Sequence, residues 1–143
     1  RVTAIFSPVG DDVLVTFPQG APSVDARLAL GSPYVSDLEA DDARAVLIDY
    51  LGKIAVYDLS GSAPVLAASF DEIGVRAEHA SIDGDVLATS LPNDERVVFF
   101  DLGSAPTLEP IGEVSAPGAA SIALGPGAAY AGGDGVIHVL PRP

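Results

Sequence analysis

Three observations predict an all-β fold made of repeated, four-stranded, blade-like units. The first is turn chemistry. The 143 residues include 15 glycines and 12 prolines, and Gly, Pro or a charge interrupts every apolar run, as in short strands joined by tight turns. The second is an internal repeat. Ile54-Ala-Val-Tyr-Asp58-Leu59, followed by Ala63-Pro64-Val65-Leu66, returns 43 residues later as Val97-Val-Phe-Phe-Asp101-Leu102 with Ala105-Pro106-Thr107-Leu108. A third echo, Val136-Ile-His-Val-Leu140-Pro141, begins 39 residues after Val97 and carries Leu140 where the aspartate stands in the others. Periods of about 40–45 residues with four strands each are those of β-propeller blades. The third observation is that Val46-Leu47-Ile48 and Val97-Val98-Phe99-Phe100 are apolar at successive positions. Such strands need both faces covered, which blades stacked around an axis provide. A β-sandwich, whose strands each keep one wet face and alternate cleanly, is the runner-up.

The elements follow in order along one domain of four units, approximately 1–31, 32–74, 75–115 and 116–143. The first unit has strands at Thr3–Ile5, Val13–Phe17 and Asp25–Leu30, with Asp11-Asp12 in a hairpin turn and an outer strand that is short or missing. The second opens with an inner strand at Tyr34–Leu38. Ser36-Asp-Leu-Glu39 is a capping-box pattern before Ala40–Ala45, but the β-rich run after it favours a strand there, so 37–42 is read as an acidic loop. Strands at Arg44–Tyr50 and Ile54–Asp58 flank a Leu51-Gly52 turn, and a Pro-containing turn leads to an outer strand. The third unit repeats this from Ala80–Ile82 through an Asp83-Gly84 turn, and the fourth from Ala120–Ile122 through Gly125-Pro126-Gly127. In these turns glycine supplies positive φ and Asp tolerates it. The fourth unit stops before an outer strand, giving three, four, four and three strands.

Composition narrows the function. The formal charge is −13, from 20 acidic and 7 basic residues. That surface repels phosphate backbones, so no nucleic-acid partner is expected. No run approaches the roughly 18 apolar residues of a membrane helix. There are no cysteines, which excludes disulfides and Cys-ligated zinc. The chain begins at Arg1, consistent with a processed mature chain or a piece of a longer one.

The strand ending in Asp, with a Gly-rich turn before it and a Ser- and Pro-rich turn after it, resembles the LVIVD repeat. Ile54–Leu66 and Val97–Leu108 carry the resemblance, Val136–Leu140 shares only the apolar strand, and residues 45–140 are covered. The resemblance implies a β-propeller in a secreted or cell-surface protein, extracellular in location, with no activity of the repeat's own. Asp58 and Asp101 are read as structural, accepting backbone N–H bonds from the turn that follows.

The candidate chemistry is sparse. Gly-x-Ser-x-Gly, phosphate-binding and dinucleotide-binding patterns are absent. His138 alternates with Ile137 and Val139 and is read as a packed or edge residue. Arg76, Glu78 and His79 enter an inner strand and are expected at the mouth of the central channel, where they form the candidate binding set. Asp37, Glu39, Asp41 and Asp42 are the densest acidic cluster and the candidate calcium set; no other cofactor is expected. Two functions compete. One is a non-catalytic interaction or scaffold module whose partner is another protein, or a second copy meeting open blade edges. The other is a metal-dependent hydrolase or lactonase-like enzyme with its site at the channel.

Overall fold

The computed structural model describes residues 35–71 and 76–143 throughout and, before them, the strands 2–6, 13–17 and 26–29. The Asp11-Asp12 turn and the unit boundaries near 31 and 74 lie outside the described residues. Among the described residues fourteen strands form four antiparallel sheets. The first sheet holds β1 (Val2–Phe6), β2 (Val13–Phe17) and β3 (Ala26–Ala29). The second holds β4 (Val35–Ala40), β5 (Arg44–Asp49), β6 (Ile54–Asp58) and β7 (Val65–Phe70). The third holds β8 (His79–Asp83), β9 (Val86–Leu91), β10 (Arg96–Asp101) and β11 (Pro110–Ser115). The fourth holds β12 (Ser121–Gly125), β13 (Ala128–Gly133) and β14 (Val136–Pro141).

Each sheet is a meander, its strands in chain order. The first strands adjoin one another from sheet to sheet, β1 beside β4, β4 beside β8 and β8 beside β12. They are therefore the inner strands, and the sheets are blades arranged side by side about a common axis. This is not the two-sheet sandwich: four sheets follow one another, and the third is packed against a neighbour on each of its faces.

The blades are joined by apolar faces. Val46, Ile48, Ile54, Val56 and Ala68 of the second blade meet Ala80, Leu87, Val98 and Phe100 of the third in one buried cluster. The rings of Phe70 and Phe100 meet edge to face at 4.9 Å across it. The opposite face of the third blade, with Ala88, Val97 and Phe99, packs on Ala129, Ala131 and Leu140 of the fourth. Successive residues of one strand thus serve opposite interfaces, because side chains alternate across a sheet. Val97 and Phe99 look one way, and Val98 and Phe100 the other.

The registers correct two expectations. Residues 37–40 are strand and not acidic loop: β4 pairs with β5 from Val35↔Asp49 to Ala40↔Ala45, leaving Asp41 and Asp42 at the turn. Strand pairing with the sequel outweighs the local capping pattern. Next, Asp58 pairs with Arg44, Asp101 with Val86 and Pro141 with Ala128. The residue in the aspartate's place in the last blade is therefore Pro141, one beyond Leu140. The outer strand of the third blade starts at Pro110, opposite Phe100. Before it, Thr107 bridges to Ser69 on the preceding blade, and Leu108 is buried between the two.

Candidate functional site

The three residues of the candidate binding set line one cleft. Arg76, Ala77, Glu78 and His79 run along one side as the chain enters β8, and Ser36, Asp49 and Tyr50 of the second blade close the other, around about 200 Å³. Asp49 shapes this wall by accepting from the N–H groups of Leu51 (2.8 Å) and Lys53 (3.0 Å). That bond pair tightens the β5–β6 turn, where Gly52 has φ +84° and lies against the backbone of Arg76 and Ala77. Only a residue without Cβ allows this close approach.

The structure also brings the two candidate sets together. Asp37 and Glu39 leave the same side of β4, two residues apart. Asp37 Oδ2 lies 3.6 Å from Nδ1 of His79 and accepts from the Ala80 N–H at 2.8 Å. Glu39 accepts from the backbone of Ile82, and burial together with the Asp37 charge holds its carboxyl above the ordinary glutamate value. One blade further round, Ser81 Oγ accepts from the Leu124 N–H at 3.0 Å. The pairings Glu39↔Val46 and Ser81↔Ala88 put Glu39 and Ser81 at equivalent places. β4 and β8 thus each lend side-chain acceptors to edge N–H groups of the next inner strand, which would otherwise go unpaired.

The rest of the calcium set is placed differently. Asp41 folds back on its own turn, accepting from the N–H groups of Ala43 and Arg44, both at 2.7 Å, and pairing with the Arg44 guanidinium. Among the described residues no three His, Cys, Asp or Glu side chains converge in a group able to hold a metal ion. His138, on the edge strand β14, has Nε2 3.0 Å from the Pro117 carbonyl oxygen.

A larger cleft of about 450 Å³ opens between the second and third blades at the ends of β6 and β10. Its floor is apolar, with Val56, Ala68, Leu102 and Leu108, and its rim carries Arg44, Asp58, Asp85 and Asp101. Asp58 and Asp101 behave as the repeat suggests. Each Oδ1 accepts, at 2.8 Å, the N–H two residues on, from Ser60 and Gly103. Ser60's backbone and hydroxyl hold the Asp58 carboxyl below its ordinary value. Sequence reasoning missed Arg44 here. It reaches across to Asp85 Oδ1 (2.9 Å) and the Gly84 carbonyl (2.6 Å), while Arg142 of the fourth blade grips Asp83 on the same turn. Nothing in the spacing of Arg44, Asp83, Asp85 and Arg142 signals these clamps, which exist only once blades sit side by side.

Four meander sheets with adjoining inner strands make the chain a β-propeller by fold. It superimposes on BamB from Moraxella catarrhalis with a TM-score of 0.70 at 18% identity, over 96% of this chain and 44% of that one. It also superimposes on the glutaminyl cyclase of Myxococcus xanthus with a TM-score of 0.59 at 15% identity, over 90% of this chain and 56% of that one. The chain therefore spans about half the length of these structures. At such identities the likeness is one of fold. No family model matches the sequence, and no curated protein matches it.

Proposed function

We propose that this chain is a non-catalytic interaction module of an exported or cell-surface protein, and that the cleft of Ser36, Asp49, Tyr50, Arg76, Glu78 and His79 is a contact site for a protein partner. The observation that carries this reading is the employment of the carboxylates. Asp37 and Glu39 cap the N–H groups of the neighbouring blade, and Asp41, Asp49, Asp58 and Asp101 cap their own turns. A cleft with one guanidinium, two carboxylates, an imidazole and a half-exposed tyrosine offers donors and acceptors to the mixed polarity of a peptide surface. The LVIVD resemblance supports the exported location.

The approach of His79 Nδ1 to Asp37 Oδ2 is the one observation that points to a second reading, a metal-dependent hydrolase with its site at this cleft. One structural neighbour bears an enzyme's name, so the fold does not decide between the two. The test is metal content after incubation with calcium or zinc chloride and desalting, with thermal melts of the wild type and of His79→Ala. No stoichiometric metal and an unchanged melting temperature are expected. One metal per chain, lost in His79→Ala together with a metal-dependent rise in melting temperature, would replace the first reading by the second.

A further inference from the structure

The cleft at the ends of β6 and β10 carries charges that the fold does not require. The registers put Asp58, Asp101 and Pro141 at equivalent places, paired with Arg44, Val86 and Ala128. Between the second and third blades, Asp58 lines one wall and Asp85 and Asp101 the other, around about 450 Å³. In the fourth blade Gly127 and Pro141 take the places of Asp85 and Asp101, so the repeat does not demand the carboxylates. Turn closure does not demand their charge either. Asp58 and Asp101 each use Oδ1 for the turn N–H at 2.8 Å, a bond that asparagine also makes. Arg44 lies on Asp41 and Asp85, and among the described residues no cation pairs with Asp58 or Asp101. Beneath the carboxylates is the apolar floor of Val56, Ala68, Leu102 and Leu108. Just outside, Val65, paired opposite Asp58, is 63% exposed and Leu66 54%. The volume is that of a cleft for a small ligand or one or two side chains.

We infer that this cleft receives a lysine side chain from a basic segment of a partner protein, with a neighbouring apolar residue of that segment resting on Val65 and Leu66. Complementarity of charge and polarity selects this occupant. The aliphatic stem of a lysine covers apolar surface while its ammonium stays at a polar rim. That ammonium has three donors pointing in different directions, which suits carboxylates on facing walls. The flat fork of a guanidinium suits one carboxylate at a time. An acidic occupant would be repelled by the rim and by the net charge of −13. A free amine would leave Val65 and Leu66 in water, so the ligand extends beyond the cleft. The site lies at the other end of β6 from the cleft of Arg76, Glu78 and His79, and does not depend on the reading proposed for that cleft.

The experiment is an NMR titration of the isotope-labelled chain at low salt with the peptide acetyl-Leu-Lys-Leu-amide, taken to about 10 mM. The same peptide with norleucine for lysine, and spermidine, are titrated beside it. The series is repeated on Asp58→Asn, Asp101→Asn and Asp134→Asn, the last removing an exposed carboxylate from the β13–β14 turn. Asparagine keeps an oxygen for the turn N–H, and having two cleft variants keeps the test decisive should one misfold. The expected result is saturable shifts at the Ala68, Leu102 and Gly103 amides with the lysine peptide. Binding weakens about tenfold in Asp58→Asn and in Asp101→Asn, the loss of one charge-assisted hydrogen bond, and is unchanged in Asp134→Asn. The absence of saturable shifts at those amides overturns the inference. So does equal binding of the norleucine peptide, or an equal loss in Asp134→Asn. Spermidine matching the lysine peptide at the same amides also overturns it, because the cleft would then attract any cation.

Discussion

Ile54 and Ile137 are the same residue at the same place in two blades, and differ only in whether another blade covers them. Replacing each with Ala therefore isolates the contribution of blade stacking. At Ile54 the side chain is fully buried against the third blade. Removing its three outer carbons forfeits about 0.8 kcal/mol per buried methylene, hence about 2.4 kcal/mol before the cavity is counted. With the cavity the cost is about 3–4 kcal/mol, within the span of such truncations. Ile137 is exposed over most of its surface in the single chain, so its truncation costs roughly 0.5 kcal/mol. The assay is urea denaturation followed by circular dichroism. A difference of at least about 2 kcal/mol between the variants is expected. Equal losses, or an Ile54→Ala loss under about 1 kcal/mol, would refute the claim that face-to-face packing holds the blades.

Three further outcomes are expected. Gly52→Ala places a Cβ about 2.5 Å from the Arg76 Cα at a backbone with φ +84°; it should cost about 2 kcal/mol or more and displace the His79 resonances in an NMR spectrum, which checks the coupling of the turn to the cleft. Ser81→Ala strands the Leu124 N–H and should cost about 1–2 kcal/mol, whereas Ser81→Thr, which keeps the hydroxyl, should cost less; denaturation of the two side by side decides. Glu39 has a raised carboxyl pKa, so its native form holds its proton more tightly than the unfolded chain does. Its contribution is full below the ordinary glutamate value and is lost as pH rises through the raised one. Glu39→Gln should remove that fall, leaving a flatter stability profile in weakly acidic buffer, and a profile unchanged by the substitution would show that the carboxyl is not so held.

Much of the fold was legible in the chain. The 43-residue return of an apolar strand ending in Asp, and the successive apolar residues at Val97–Phe100, specify stacked four-stranded units because period and two-sided burial are local properties of a sequence. The same locality explains the errors. A capping-box pattern at Ser36–Glu39 weighs four residues, whereas pairing of β4 along β5 weighs the whole strand, and the long-range term prevails. The third echo slipped by one residue because sequence alignment counts from the apolar run, and the ladder counts from the turn. Arg76, Glu78 and His79 line one cleft because they are neighbours in the chain on a single strand entry.

What the sequence by itself determined is the unit: its strands, its glycine turns and the aspartate that closes each Pro-containing turn. Only the tertiary structure decided what each unit does to the next. Asp37 caps Ala80, Ser81 caps Leu124, Arg44 and Arg142 clamp one turn from two sides, and Ile137 stands exposed where Ile54 is buried. These are contacts across 40 or more residues between surfaces that alternate residue by residue, and a blade's identity as covered or uncovered depends on its neighbour and not on its own side chains.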